Sequence, residues 1–236
     1  MVRDAPLRYN PEYEKVSRNQ GANVSLTFEE CHFRRFDPER LLHALSHTQM
    51  EHRLLGGGAF DVQLQHMELA GLTITAGDYS SPVSARGGIP HHQVFLGLNS
   101  HTTGELRENY QEVSLNKLVL YAPGMELQYT SLGRNRWIML MLPLERLQEA
   151  AIAQQGVELT WPRQGLRQID LHPLVADRLR RELQGLLQFG KHFAGVPYTV
   201  LIESLASEGL VQLLVQAITR GCSLSVPKIS AGRNRP

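Results

Sequence analysis

The sequence predicts an α+β protein in which short antiparallel strands come first and helices follow. Three observations predict this. Within residues 87–142, three apolar stretches, 93–98, 117–122 and 137–142, are each six residues long. That is strand length and too short for an independent helix. The segments between them are rich in Gly, Asn, Ser and Thr, and Ala122-Pro123-Gly124 is a stop signal in itself. From Pro143 onward the apolar residues instead recur at helical spacing. Short strands bounded by turn residues point to an antiparallel sandwich or small barrel.

Bulk properties narrow the function classes. The chain has 236 residues, enough to bury a full core in one or two domains. Lys plus Arg number 24 against 23 Asp plus Glu, a net charge of +1, which gives no general argument for nucleic-acid or membrane binding. Cys31 and Cys222 sit in no CxxC or Cys/His spacing, so reduced thiols in a cytoplasmic protein are expected. No apolar run reaches the roughly 20 residues of a membrane span, and no signal-peptide core follows Met1.

In order along the chain, residues 1–23 read as a loose lead-in and 24–33 as a first strand. A helix is predicted over 37–46, with Asp37 as cap, Pro38 at the first helical position and Leu41, Leu42 and Leu45 on one face. Strands are predicted over 52–55, 60–69 and 72–76. Gly56-Gly57-Gly58 and Gly71 supply the turns, and 79–88 reads as a loop. After the central unit, one helix runs from Pro143 to about Gln154 and ends at Gly156. A connector over 161–165 precedes a second helix from His172 to Phe189, stopped by Gly190. A third runs from Pro197 to Arg220 and closes at Gly221. Its stripe of Leu201, Leu205, Leu210, Leu213, Leu214 and Ile218 is predicted as a dimer seam, the alternative being packing against the chain's own body. The organisation is thus a β-unit over 24–143, a helical dimerisation module over 144–221 and a linker over 222–236.

Several segments carry a family resemblance. They are Gly88-Ile89-Pro90 before Val94-Phe95-Leu96, the stretch from Leu120 through Tyr121-Ala122-Pro123-Gly124 to Glu126, and Trp137-Ile138-Met139-Leu140. Followed by Leu-rich helices, this order resembles the N-terminal sensing half of AraC/XylS-type bacterial transcription regulators, over residues 48–220. The resemblance implies a small cupin-like antiparallel β-barrel that binds a small effector or a partner protein. It also implies helices that form a homodimer, and DNA binding only through a C-terminal helix-turn-helix unit. No room remains for that unit after Gly221, so a chain cut before it is expected, the other option being a protein that naturally lacks it.

Catalysis has no positive support. There is no G-x-S-x-G elbow, no Walker A loop and no H-E-x-x-H, and nothing places a base beside Cys31. His91-His92 with His101 and Glu105 invites a cupin metal reading, but adjacent histidines on a strand point to opposite faces. No metal or other cofactor is therefore expected. The predicted ligand-binding residues are Tyr79, Arg86, His91, Tyr121, Tyr129, Arg134 and Trp137, on or beside the barrel strands. Arg86 would suit a carboxylate or phosphate, and Arg134 an anion at the barrel mouth. The function expected is effector sensing and dimerisation in a transcription regulator, not an enzyme. The alternatives are a cupin-type metalloenzyme, or a filled barrel that reads a partner protein.

Overall fold

The computed structural model describes residues 13–18, 26–45, 50–91, 93–194 and 200–224. In chain order the elements are β1 (Tyr13–Arg18), β2 (Leu26–Phe33), α1 (Pro38–Ala44), β3 (Glu51–Leu54), β4 (Val62–Leu69), β5 (Leu72–Tyr79) and β6 (Val83–Gly88). Then come β7 (Val94–Thr102), β8 (Leu106–Glu108), β9 (Gln111–Glu112), β10 (Lys117–Tyr121), β11 (Glu126–Ser131) and β12 (Asn135–Leu142). The chain continues with α2 (Leu144–Gln155), β13 (Leu166–Asp170), α3 (Pro173–Phe193) and α4 (Val200–Leu224). No described helix is long and apolar enough to cross a membrane.

The expected α+β architecture is present, with one difference. The described strands fall into two antiparallel sheets rather than one closed barrel. The larger has the order β1-β2-β4-β5-β12-β7-β10-β13 and the smaller β3-β6-β11-β8-β9. Strand pairing also corrects the sequence reading in several places. The lead-in contains β1, which pairs with β2 from Tyr13 opposite Phe33 to Arg18 opposite Phe28. The expected loop over 79–88 contains β6, and the polar spacers contain β8, β9 and β11. Past the expected boundary at 143/144, β13 returns to the larger sheet beside β10. These strands are short or rich in Gly, Ser and charged residues, so their period of two is faint.

The larger sheet is covered on both faces. In β7, Val94, Leu96 and Leu98 belong to a core shared with the helices, whereas Phe95 belongs to the core between the sheets. In β12 the same division sets Ile138, Leu140 and Leu142 against Met141. Such double burial explains why these stretches read as continuous apolar runs rather than alternating ones. Each fully buried Leu or Phe adds about 1.5–3 kcal/mol of transfer free energy.

Polar ties fix the layers. On α2, Arg146 donates to the Ala70 carbonyl in the β4–β5 turn (2.7 Å) and to Ser207 Oγ on α4 (2.9 Å). On α3, Lys191 Nζ donates to Glu30 of β2 at 2.7 Å, with Gln63 and Gln65 donating to the other carboxylate oxygen.

Helix boundaries agree at α2, which ends at Gly156, and at α1, where Asp37 accepts from the Arg40 amide. They differ at two glycines predicted to stop helices. Gly190 lies inside α3, and Gly221 lies inside α4. A Cβ at Gly221 would collide with the Ile169 side chain and come within 3.0 Å of the Asp170 carbonyl on β13. Close approach of helix and strand, not termination, is what this glycine serves. Helix propensity alone would make Gly221→Ala stabilising by roughly 1 kcal/mol. The collision outweighs that, and the expected result is a net loss of about 1–3 kcal/mol in urea unfolding. A stabilised variant would show that α4 does not rest on β13.

The predicted dimer seam is occupied within the protomer. Leu210, Leu213, Leu214 and Ile218 are all buried in the chain's own helix–sheet core, while Leu205 is 60% exposed. The side chain of Leu201 lies outside the described residues. The wide stripe therefore reflects a helix that covers a sheet.

Candidate functional site

Between the two sheets lies a cavity of about 50 Å³. Its floor comes from β5, β7, β10 and β12 through Tyr79, Phe95, Tyr121, Trp137, Met139 and Met141. Its roof comes from the smaller sheet through His52, Ala85, Glu108, Leu127 and Tyr129, and Leu45 and Met50 close one side. A pocket for a drug-sized ligand is several times larger, about 300–1,000 Å³. As shaped, the cavity suits waters or a molecule of very few atoms.

Its polar groups form two clusters. In the first, Tyr121 donates its hydroxyl proton to Glu108 Oε2 at 2.7 Å, and Asn99 also hydrogen-bonds this carboxyl. Behind Asn99, Asn135 Nδ2 donates to Asn99 Oδ1 (3.3 Å) and to the Tyr129 hydroxyl. Gly97 makes this possible. A Cβ there would strike the Tyr121 ring, so the bare backbone lets the tyrosine lie across β7 and reach Glu108. Glu108 is held from the other side by its turn. Asn109 and Tyr110 both have positive φ, 46° and 67°, in a two-residue hairpin from β8 to β9. The Asn109 side chain bridges that hairpin to β11, donating to the Glu126 carbonyl and accepting from the Gln128 amide.

In the second cluster, His52 Nδ1 donates to the Met50 carbonyl, and Nε2 accepts from the Tyr79 hydroxyl, both at 2.9 Å. Tyr79 stacks between His52 and Trp137, with ring centroids 5.7 and 6.1 Å away.

Burial governs the protonation states. It pushes the Glu108 carboxyl up to about 7, against the hydrogen bonds from Tyr121 and Asn99 that pull it down. It pulls His52 down to about 4, against the Met50 carbonyl, so the imidazole is neutral at pH 7. Tyr79, Tyr121 and Tyr129 are all raised by burial and stay protonated. No Lys or Arg lines the cavity among the described residues.

The sequence-predicted residues divide cleanly. Tyr79, Tyr121, Tyr129 and Trp137 come together on the cavity wall. Arg86, His91 and Arg134 do not line it. Arg86 is exposed and paired with Glu126 at 2.7 Å, outside the sandwich. Arg134 holds Asp78 bidentately (3.1 and 2.9 Å), and Arg136 donates to the same carboxylate. These bonds outweigh the effect of burial and keep Asp78 below the usual carboxylate range. His91 is exposed, with its ring over Gly124. Its neighbour His92 lies outside the described residues. No group of three His, Cys, Asp or Glu side chains comes together among the described residues in a way that could hold a metal ion. Sequence reasoning missed Glu108, His52, Asn99 and Asn135. Leu106-Arg107-Glu108 carries the signal for one of them, since Glu108 shares a strand face with the apolar Leu106.

No family model matches the sequence, and no curated protein matches it. Among solved structures, that of the AraC-like transcriptional activator CuxR is similar over 80% of this chain and 69% of that chain, at 16% identity and TM-score 0.53. The chain shares its fold with an AraC-like activator. A cupin 2 conserved barrel domain protein from Rhodopseudomonas palustris matches over 76% of this chain and 91% of its own, at 10% identity and TM-score 0.27. The Clostridium difficile EutQ protein matches over 36% of this chain and 69% of its own, at 12% identity and TM-score 0.28.

Proposed function

We propose that this chain is the effector-sensing region of a transcription regulator: a small molecule enters the cavity, and the helices on the far face of the same sheet transmit its presence. One observation carries this reading. β7 and β12 supply residues both to the cavity wall and to the core against the helices, and Leu98 and Ile138 belong to both, so both cores hang on the same two strands. A ligand that moves Trp137 or Met139 acts on a strand whose Ile138 and Leu140 support the helical layer. To shift the molecule between states, the ligand must bind them with different affinity. The shared fold with an AraC-like activator supports the same assignment. DNA binding would belong to a separate unit, and two copies would pair outside the buried leucines of α4.

The test is a thermal-shift screen of small metabolites on the native protein and on Ala85→Leu, which fills the cavity from β6. The expected result is at least one compound that raises Tm by several degrees in the native protein and not in the variant. About 3 kcal/mol of linkage at 100–1,000 times Kd makes such a shift readable. If no compound acts, or if Ala85→Leu responds equally, the cavity is not an effector site.

A further inference from the structure

Resting on that reading of the cavity, we infer that its effector is a small organic ammonium ion, with Glu108 as counter-ion and the surrounding tyrosine and tryptophan rings as its cage. Four features point to this chemistry. First, Glu108 is 4% exposed and faces a cavity whose lining has no Lys or Arg to neutralise it. Second, a carboxylate offers about four acceptor sites. Among the described residues only Tyr121 and Asn99 hydrogen-bond to it, so acceptor capacity is left for a ligand N–H. Third, the rings of Tyr121, Tyr129 and Trp137 line the cavity, and aromatic rings attract a cation most strongly where it is desolvated. Fourth, behind the wall, Asn135 Oδ1 is buried with no donor among the described residues, so the surroundings of the cluster are also rich in acceptors.

The anion-binding arginines predicted from sequence point elsewhere, and each already holds a carboxylate. An anionic effector would enter beside Glu108 with no lining Lys or Arg to meet it, and above pH 7 the like charges repel. A neutral ligand would gain nothing from the charge that Glu108 carries above pH 7. Size is accommodated by Met50, Met139 and Met141, flexible thioether side chains on the wall that can repack around a guest.

Three molecules of nearly the same shape decide the matter: isobutylammonium, isobutanol and isobutyrate. Each is titrated calorimetrically at pH 8 into the native protein and into Glu108→Gln. Isobutylammonium is expected to bind the native protein about tenfold or more tighter than isobutanol, with isobutyrate weakest. Glu108→Gln should erase the preference for the amine while leaving isobutanol binding unchanged. Equal or tighter binding of isobutanol or isobutyrate by the native protein overturns the inference without using the variant. So does a preference that survives Glu108→Gln. Absence of binding by all three also overturns it. In that case a metabolite that stabilises the native protein but not Ala85→Leu would leave the sensor reading intact, and its absence would remove both.

Discussion

Leu214→Glu is expected to abolish folding. Leu214 is 0% exposed, set in the core between α4 and the larger sheet. Truncation alone at such a position costs about 2–5 kcal/mol. A carboxylate placed there adds a desolvation penalty of several kcal/mol per ion. Together these reach the whole stability of an ordinary domain, about 5–15 kcal/mol. Leu205→Glu, on the same helix but 60% exposed, should stay within about 0.5 kcal/mol of the native protein. Far-UV circular dichroism and size-exclusion chromatography read both outcomes. A folded, soluble monomer from Leu214→Glu would overturn the packing described here and restore this residue to a seam between two copies. A change of mass in Leu205→Glu alone would place the seam on the exposed side of α4.

Glu108→Gln is expected to change the pH profile of stability more than any other isosteric substitution at the site. In the unfolded chain Glu108 loses its proton near 4.5, whereas in the folded protein it keeps it until about 7. Between those values the folded state binds more protons, so stability falls as pH rises. His52 acts in the opposite sense. Unfolded, it takes a proton near 6.5; folded, only near 4, so stability rises with pH across that window. From pH 4.5 to 6.5 the two slopes, each about 1.4 kcal/mol per pH unit, oppose each other. Glu108→Gln removes the first and leaves the second. Urea unfolding at a series of pH values should show the variant gaining about 3 kcal/mol over the native protein between pH 4 and 8. The comparison cancels contributions common to both proteins, among them those of Glu30 and Asp78. A gap that does not change with pH would mean that Glu108 is not a buried carboxyl.

Much of the fold was legible in the sequence because the central strands of the larger sheet are also the most apolar. β7, β10 and β12 are buried on both faces, and the turn residues between them are the ordinary ones. The aromatic part of the cavity was legible for the same reason, since Tyr121 ends β10 and Trp137 lies in β12, while Tyr79 ends the neighbouring β5. The arginines were misplaced by strand parity. In β6, Val83 and Ala85 point inward, which turns Arg86 outward; with β6 taken for a loop, that parity could not be assigned. Arg134 likewise immediately precedes Asn135, which is buried. Glu108 was hidden differently. It stands in a three-residue strand beside a turn, where a charged residue ordinarily signals solvent. Only the second sheet, closing over it, turns that charge into a buried one.

The central strands belong to two cores at once, which separates two tasks along one stretch of chain. Positions 95, 97, 99, 137, 139 and 141 line the cavity, 94, 96, 140 and 142 meet the helices, and 98 and 138 belong to both. Substitutions confined to the first set reshape the cavity while the second set preserves the packing of the helices. For an engineer, positions 95, 137, 139 and 141 are the ones to vary for a new cavity shape, while Gly97 must stay because a side chain there would strike Tyr121. For a lineage, the proposed sensor could on this plan change its signal and keep its helical layer, with 98 and 138 as the positions where the two tasks meet.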